Sequence, residues 1–494
     1  MDLLRDVRGC TFDDFLLAPQ YSIVDRRDPA SLDLSSRLTP RLMLRRPIVS
    51  ANMDTVTRAE MAVVMAEEGG IGIIDRGFRP GDIEPQVREV LKVKRTQHGV
   101  IPDPMTIGPD HTLAQAADAL RQARVGTLVV VDGNHRLAGL LTERDLRFAD
   151  APESKVATRM TPVERLVTKR GTASVEEAAG LMAAHKVKKL PLVDGDGRLL
   201  GLMTSRDILH QQRQPFATRD AQGRLRVGAA IGARGDYLER AAELLRAGVD
   251  VLVIDIAHGH STVMDRALGE VRKRFADVDV IAGNVATGEG ARFLADRGAS
   301  AVKVGIGPGG GCTTRLTTSF GVPQLQALVE CRAALGDALP IIADGGIRRH
   351  GALALALVCG GDTVMMGSAF AGTTEAPGEI VQKSVLVPES QKSVQVPFKV
   401  LRGMASIEAI KDRLDVEDAS AVDLQAMGAE GMEVSVPLRG SARSAFQEMI
   451  KHLCSSISYG GADSLCGLRA SVAADPGRFL IRLTESSRRE SYER

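Results

Sequence analysis

The sequence contains no tryptophan, and its aromatic residues amount to only 3% of 494 residues. Acidic and basic residues nearly cancel, to a formal net charge of +1. The charge balance gives no electrostatic argument for DNA or a membrane as the main partner. No apolar run reaches membrane-spanning length, and no apolar segment follows a basic N-terminus. We therefore expect a cytoplasmic protein.

Cysteine is also scarce, and the six cysteines form no C-x-x-C pair. This spacing argues against a disulfide framework and against a cysteine-ligated zinc site, and it indicates a reducing compartment. Four of the cysteines lie outside any unusual motif and are expected in the core: Cys331, Cys359, Cys454 and Cys466.

Glycine, in contrast, is abundant, with 50 residues. Eight short apolar runs are each followed by a polar or glycine-rich loop and then by a helical pattern. They begin near residue 48 and continue at 71–74, 227–230, 251–254, 280–281, 301–304, 341–342 and 363–366. This repetition predicts an α/β fold, a (β/α)8 TIM barrel whose chemistry lies at the carboxyl ends of its strands. A doubly wound open sheet is the alternative, but no G-x-G-x-x-G follows the first strand.

One loop concentrates chemically useful groups. Residues 303–315 read KVGIGPGGGCTTR, so Cys312 ends a run of five glycines and one proline. Such a backbone can approach a ligand closely and can cradle an anion. Cys312 is therefore a candidate nucleophile, with Thr314 beside it. The alternative is a small buried thiol next to a turn.

Residues 95–214 interrupt the barrel pattern and contain an internal repeat, with halves 95–152 and 153–214. The barrel would then comprise 1–94 and 215–494. The repeat resembles a pair of CBS domains (a Bateman module). That resemblance implies regulation by purine nucleotides such as ATP or GTP, held through Thr142, Asp145, Thr204 and Asp207. The alternative is that each aspartate only caps the helix that follows it.

Residues 382–440 are polar and only weakly periodic, which is typical of a lid or flap. They contain the sequence RGMAS at 402–406 and Glu430-Gly431. Together with NMDTV at 52–56, the cysteine loop, DGG at 344–346 and MGS at 366–368, these segments resemble the IMP dehydrogenase/GMP reductase family over nearly the whole chain.

The resemblance implies a purine nucleoside monophosphate as substrate and a covalent adduct between Cys312 and purine C2. Thr314 and Glu430 would handle protons. The implied substrate-binding residues are Met53, Gly310, Gly311, Asp344, Gly346, Gly367, Ser368, Met404 and Ala405, and the implied cofactor-binding residues are Asp255, Ala257, Asn284 and Gly305. A potassium ion would use carbonyl groups of Gly307, Gly309 and Cys312. The family also implies a homotetramer, with CBS-driven octamers.

Two opposite reactions share this scaffold. Family dehydrogenases activate water with an Arg-Tyr pair on the flap, whereas this flap has Arg413-Leu414, and leucine cannot bond to a water molecule. The sequence therefore favours an NADPH-dependent GMP reductase. The inserted repeat and Gly367-Ser368 favour the alternative, an NAD-dependent IMP dehydrogenase. Further alternatives are an inactive nucleotide-sensing homologue and an unrelated phosphate-binding barrel enzyme.

Overall fold

A computed structural model describes residues 3–96, 101, 103–123, 125–147, 151–212, 214–387, 392–413 and 430–492. The chain divides into two compact units. The first comprises Met1–Lys94, Phe216–Asp220 and Leu225–Arg494, and the second comprises Arg95–Pro215 and Ala221–Arg224. Within the described part of the chain, no helix is both long enough and apolar enough to cross a membrane.

The first unit is a closed barrel of eight parallel strands. They are β1 (Ile48–Ser50), β2 (Ile71–Ile74), β3 (Gly228–Ile231), β4 (Val251–Asp255), β5 (Val280–Val285), β6 (Ala301–Val304), β7 (Ile341–Asp344) and β8 (Thr363–Met366). Each strand pairs with the next along the chain, and β8 pairs with β1. The predicted TIM barrel is confirmed.

The strands read as continuous apolar runs because both of their faces are covered. One face fills the barrel interior, where Val49, Ile73, Val253 and Ile342 pack together. The hairpin of Ser36–Thr39 and Leu42–Leu44 adds Leu38, Leu42 and Leu44 to the same interior cluster. The other face packs against a surrounding layer of helices.

Those helices alternate with the strands. They are α1 (Ala59–Glu67), α2 (Glu84–Arg95), α3 (Tyr237–Arg246), α4 (Thr262–Arg274), α5 (Gly288–Asp296), α6 (Gln324–Leu335), α7 (His350–Val358) and α8 (Ala442–Tyr459). The last helix, α8, packs against both α1 and α7. It therefore completes the outer layer after the long excursion that follows β8.

Shorter elements surround the barrel. Strand Phe15–Leu17 pairs with Leu480–Arg482 in antiparallel fashion. The remaining short helices are Leu3–Asp6, Thr314–Thr318, Ser368–Ala371, Ile407–Lys411, Leu465–Ala474, Pro476–Phe479 and Glu485–Tyr492, with a 3-10 turn at Phe12–Asp14.

The flap contains more regular structure than its composition suggested. Strands Val381–Val387, Lys392–Arg402 and Glu433–Pro437 form a three-stranded antiparallel sheet, with Lys392–Arg402 in the centre. Its alternating valines, as in residues 394–400, are a strand pattern that the polar residues between them obscured.

The second unit consists of two halves with the same core topology. The first half has strands Thr106–Ile107, Thr127–Val131, Leu137–Thr142 and Thr161–Pro162 and helices Leu113–Ala123 and Glu143–Leu146. The second has strands Lys169–Arg170, Lys189–Val193 and Leu199–Thr204 and helices Val175–His185 and Ser205–Gln212. Short 3-10 turns lie at Val156–Thr158 and Val163–Arg165. Side chains from both halves, among them Val131 and Val193, form one shared core.

Candidate active site

A cavity of about 600 Å³ lies in the first unit, where the loops that follow the barrel strands meet the flap. Every residue that the sequence predicted for catalysis, substrate, cofactor or potassium lines this one cavity: Met53, Asp255, Ala257, Asn284, Gly305, Gly307, Gly309, Gly310, Gly311, Cys312, Thr314, Asp344, Gly346, Gly367, Ser368, Met404, Ala405 and Glu430. The fold therefore brings all of these residues together.

Cys312 belongs to a three-residue chain of polar contacts. Its Sγ lies 3.2 Å from Oγ1 of Thr314, and that hydroxyl donates to Oε2 of Glu430 at 2.8 Å. Backbone bonds fix the arrangement, because Thr313 N–H donates to the Glu430 carbonyl at 2.9 Å. The thiol is thus connected through one hydroxyl to a carboxylate that arrives from the flap, and a proton can pass along this chain.

Glycine is sterically required at two positions of the cysteine loop, Gly305 and Gly311. Gly305 has a φ of +152°, and a Cβ atom there would lie 2.1 Å from the Asp344 carbonyl oxygen. A Cβ at Gly310 would lie 2.8 Å from Oγ of Ser368, and one at Gly311 would lie 2.9 Å from the backbone nitrogen of Gly403. The loop therefore packs directly against the segments that follow β7 and β8 and against the flap.

The other cysteines provide a contrast to the half-buried Cys312. Burial raises the pKa of Cys331 and of Cys359 to about 12 and that of Cys454 to about 11, so these thiols are protonated and inert. Cys466 does not lie in the core, contrary to the sequence prediction, but is exposed. Helix Leu465–Ala474 buries Leu465, Leu468 and Val472, and Cys466 is not among its buried residues.

Sequence reasoning missed Lys303, which lines the cavity from within β6 with only 3% of its side chain exposed. Its Nζ lies 2.7 Å from Asp344 and 3.0 Å from Asp255. Burial alone would lower the pKa of Lys303, but Asp255 and Asp344 together raise it above its usual value. The sequence did contain a signal for this residue, because Lys303 is a single charge within an apolar strand. An unpaired charge in such a position is very costly, so a partner carboxylate could have been expected.

Asn284, near the end of β5, links the loop after β6 to the end of β7. Its Nδ2 donates to the Gly305 carbonyl at 2.7 Å and to Oδ2 of Asp344 at 2.9 Å. Its buried Oδ1 has no hydrogen-bond donor among the described residues. Because unpaired buried acceptors are costly, this oxygen is suited to receive a donor from a bound ligand.

A second charged group lies after β2. Arg76 contacts Asp255 at 3.4 Å, and Asp75 accepts from Gly77 N–H at 2.7 Å and from Arg58 at 3.3 Å. Burial raises the pKa of Asp75 to about 6, against the opposing charge of Arg58. Arg76 and Lys303 thus hold Asp255 from two sides. Although burial opposes it, Lys303 and Arg76 lower the pKa of Asp255.

Arg402 anchors the flap to the barrel, and Arg413 forms a bond within the flap. Arg402 forms ion pairs of 2.7 Å with Asp54, after β1, and with Asp412 of the flap. Arg413 donates to the Met404 carbonyl at 2.9 Å. The neighbouring residue Leu414, on which the choice between reductase and dehydrogenase rested, lies outside the described residues.

In the second unit, Asp145 performs the capping role that was the alternative to nucleotide binding. Its Oδ2 accepts from the backbone N–H and the hydroxyl of Thr142, at 2.8 and 2.7 Å. Thr204 occupies the matching strand end. The side chain of Asp207 lies outside the described part of the chain. The regulatory role of these four residues stays a prediction.

The carbonyl groups predicted for potassium also belong to the cysteine loop. The Gly309 carbonyl accepts the Cys312 N–H at 3.1 Å, which leaves it one lone pair. Carbonyl oxygens are suitable donors for a hard cation. The loop therefore fits such an ion chemically, and the site remains a prediction.

Comparison with known proteins gives consistent matches. A family model described as "IMP dehydrogenase / GMP reductase domain" matches residues 9–493. An inosine-5'-monophosphate dehydrogenase of Aquifex aeolicus is 41% identical over 98% of this chain and 95% of its own length. The inosine-5'-monophosphate dehydrogenase of Nitrosopumilus maritimus is 42% identical over 92% of this chain and 93% of its own length.

Among solved structures, a cysteine-to-alanine variant of GMP reductase from Trypanosoma brucei, in complex with guanosine 5'-monophosphate, is 37% identical with a TM-score of 0.84. The match covers 98% of this chain and 97% of that one. The same reductase in complex with guanosine 5'-triphosphate matches with 36% identity and a TM-score of 0.75, over 96% of this chain and 98% of that one.

Proposed function

The chain belongs to the IMP dehydrogenase/GMP reductase family of purine nucleotide oxidoreductases, and we propose that within this family it is a GMP reductase. The proposed reaction consumes GMP, NADPH and one proton and yields IMP, ammonia and NADP⁺, and the proton restores the Cys312 thiol at the end of the cycle. The observation that carries the proposal is Leu414 beside Arg413. A leucine has no hydrogen-bonding group with which to activate the water that a dehydrogenase must add to its purine adduct.

The polar chain at Cys312 suits the reductive reaction. Thr314 takes the thiol proton and passes its own to Glu430, so that the sulfur adds to purine C2 as a thiolate. The C2 amino group must then leave, and it leaves as ammonia only if it is protonated. Glu430, now a carboxylic acid, returns its proton through Thr314 to that amine. One carboxylate thus serves first as base and then as acid.

The remaining cavity residues would bind and orient the reactants. Asp344, held by Lys303 and Asn284, presents a carboxylate to the ribose hydroxyls, and the backbone near Gly346 and Ser368 receives the phosphate. Asp255 and Asn284 would hold the nicotinamide, and that group would supply the hydride that displaces the sulfur from C2. The geometry supports these assignments by placing all of the groups around one cavity.

The inserted unit does not count against a reductase. The GMP reductase of Trypanosoma brucei is matched over 97% of its chain by 98% of this chain, so the two chains have the same extent. This supports the proposal because the insertion was the main sequence feature in favour of a dehydrogenase.

IMP dehydrogenase is the second candidate, and one specific observation favours it besides the names of the curated relatives. Burial and the neighbouring Arg76 lower the pKa of Arg413. A guanidinium with a lowered pKa is better able to act as the base that activates water. An inactive homologue is disfavoured, because Cys312, Thr314 and Glu430 form a continuous set of contacts.

The absorbance of reduced nicotinamide distinguishes the candidates on pure protein. We expect loss of absorbance with GMP and NADPH, with stoichiometric ammonia release, and no gain with IMP and NAD. Cys312→Ala should abolish the signal, whereas Cys466→Ala, which removes an exposed thiol outside the cavity, should not. Activity only with IMP and NAD would refute the reductase, and activity with neither pair would favour the inactive homologue.

We further propose that purine nucleoside triphosphates such as ATP or GTP regulate the enzyme through the second unit, and that the chain assembles as a homotetramer or octamer. The Trypanosoma brucei reductase solved with guanosine 5'-triphosphate supports the first part by analogy. Equilibrium binding of ATP and GTP to Asp145→Asn and Asp207→Asn, with light scattering for the mass, tests both parts. Unchanged affinities in both variants would refute the assigned residues, and a monomeric mass would refute the assembly.

A further inference from the structure

Two helices of the barrel bring three potential metal ligands together. His350 begins α7, and Glu448 and His452 lie four residues apart on α8. One donor atom from each of the three side chains lies within 4.8 Å of the other two. The two imidazole rings are stacked, with centroids 4.4 Å apart and planes 17° apart.

The two helices form a rigid support. Residues four apart on a helix share one face, so Glu448 and His452 point the same way. On its other side α8 is anchored by Phe446, Met449 and Leu453, which are buried, and α7 is buried along most of its length. Sites built on packed helices hold their ligands with little conformational cost.

We propose that His350, Glu448 and His452 form a binding site for a divalent transition-metal ion such as Zn²⁺ or Co²⁺. Two imidazoles and one carboxylate are a known donor set for zinc, and they leave a fourth position open for water or another ligand. Carboxylate-only sites favour calcium or magnesium, whereas the imidazoles select transition metals. No cysteine is needed, so the absence of a cysteine motif does not argue against this site.

Metal binding requires the ring stack to open. Imidazole lone pairs lie in the ring plane, so two parallel rings cannot both direct a nitrogen at one ion. His452 is 51% exposed and Glu448 is 62% exposed, so both can move without disturbing the core. Rotation about the last torsion of a histidine is broad and costs little. His350, which is half-buried, would stay as the fixed ligand.

The location gives such an ion an influence on the nucleotide, a consequence that rests on the proposed function. His350 and Glu448 line the same cavity as Gly346 and Ser368. His350 also directly follows the loop of residues 345–349 that leaves β7. An ion that joins α7 to α8 would restrain this loop and so pre-organise the nucleotide site.

Cobalt spectroscopy on tag-free protein tests the site itself. The background is Cys312→Ala with Cys466→Ala, so that neither the cavity thiol nor the exposed one can bind the ion. We expect one Co²⁺ per chain, with visible ligand-field bands typical of nitrogen and oxygen donors. His452→Ala should weaken binding by more than about tenfold. Lys451→Ala, an exposed neighbour on the same helix, should leave it unchanged.

The metal site and its coupling to nucleotide binding are tested separately. No saturable Co²⁺ binding up to about 1 mM, or equal binding to the parent and His452→Ala, would overturn the site. The melting temperatures in chelator should be equal for parent and variant, which excludes a folding defect. If Co²⁺ binds but fails to tighten GMP binding by at least about twofold in the parent, the coupling is overturned while the site stands.

Discussion

Replacement of Lys303 by methionine is the sharpest test of how the cavity holds its carboxylates. Methionine is of similar length but carries no charge, so Asp255 and Asp344 lose their shared cation at 3.0 and 2.7 Å. Removing one member of a buried ion pair costs ~3–5 kcal/mol. Arg76 and Asn284 still contact these carboxylates, which places the expected cost near the lower limit, at ~3 kcal/mol.

We expect this cost to appear in the affinity for reactants as well as in stability. If most of this free-energy cost comes from displacement of Asp344, kcat/KM for the nucleotide falls by about a hundredfold, since ~1.4 kcal/mol corresponds to a factor of ten. Titration calorimetry of the nucleotide, with steady-state kinetics, measures this loss. The KM should rise more than kcat falls, because Lys303 contacts the binding carboxylates and not Cys312.

The loss of stability should depend on pH in a defined direction. In the wild type, Lys303 and Arg76 hold the pKa of Asp255 below its usual 3.8 despite burial, so its stabilising contribution is present above that value and is lost as the pH falls through the lowered pKa. Without Lys303, burial dominates and the pKa of Asp255 rises. The difference in melting temperature between wild type and variant should therefore be widest near pH 8 and narrow towards about pH 5.

A second substitution separates stability from function. Adding Asp255→Asn to Lys303→Met removes the stranded carboxylate, so the melting temperature should recover in part while nucleotide affinity does not. Unchanged kcat/KM in Lys303→Met, or a melting-temperature gap that is independent of pH, would refute the assigned role of the lysine.

Three further results are expected. Thr314→Val breaks the proton chain, so kcat should fall by about 100-fold with little change in KM, as measured by ammonia release; an unchanged kcat would refute the relay. Arg402→Ala removes the ion pair with Asp54, so limited proteolysis should cut the flap at least about tenfold faster, and an unaltered cleavage rate would contradict this anchor. Because burial raises the pKa of Asp75 from 3.8 to about 6, its ionisation lowers stability progressively between these values and in full above about pH 6, so Asp75→Asn should melt at a higher temperature than wild type at about pH 7.5 but not at about pH 3.5.

The barrel was predictable because its signals are local. Strands that are covered on both faces read as short apolar runs, and glycine or polar residues mark their carboxyl ends. The cysteine loop was recognisable for a related reason, since backbone atoms leave no room for a side chain at Gly305 and Gly311. The loops that follow the strands of a closed parallel barrel all meet at one end, and so the topology alone brought Cys312 and Asp344 to one cavity.

The charge pairs were not predictable, because their partners are distant in the sequence. Arg402 and Asp54 are 348 residues apart, and no periodicity within either segment points to the other. The flap strands were missed for a different reason, because polar residues alternate with valine on an exposed sheet. The cavity thus combines a predictable backbone with side-chain pairing that only the folded chain shows.

The pairing of Arg402 has a consequence for how the flap can move. Arg402 lies between two carboxylates of unequal burial: Asp54 is 5% exposed and Asp412 is 61% exposed. A cation with one buried and one exposed partner can release the exposed carboxylate to water at little cost, since exposed pairs contribute only ~0–1 kcal/mol. Release of the buried partner would leave a charge stranded inside the protein. Opening of the flap should therefore begin on the side of Asp412, while the strand that carries Arg402 stays attached to the barrel.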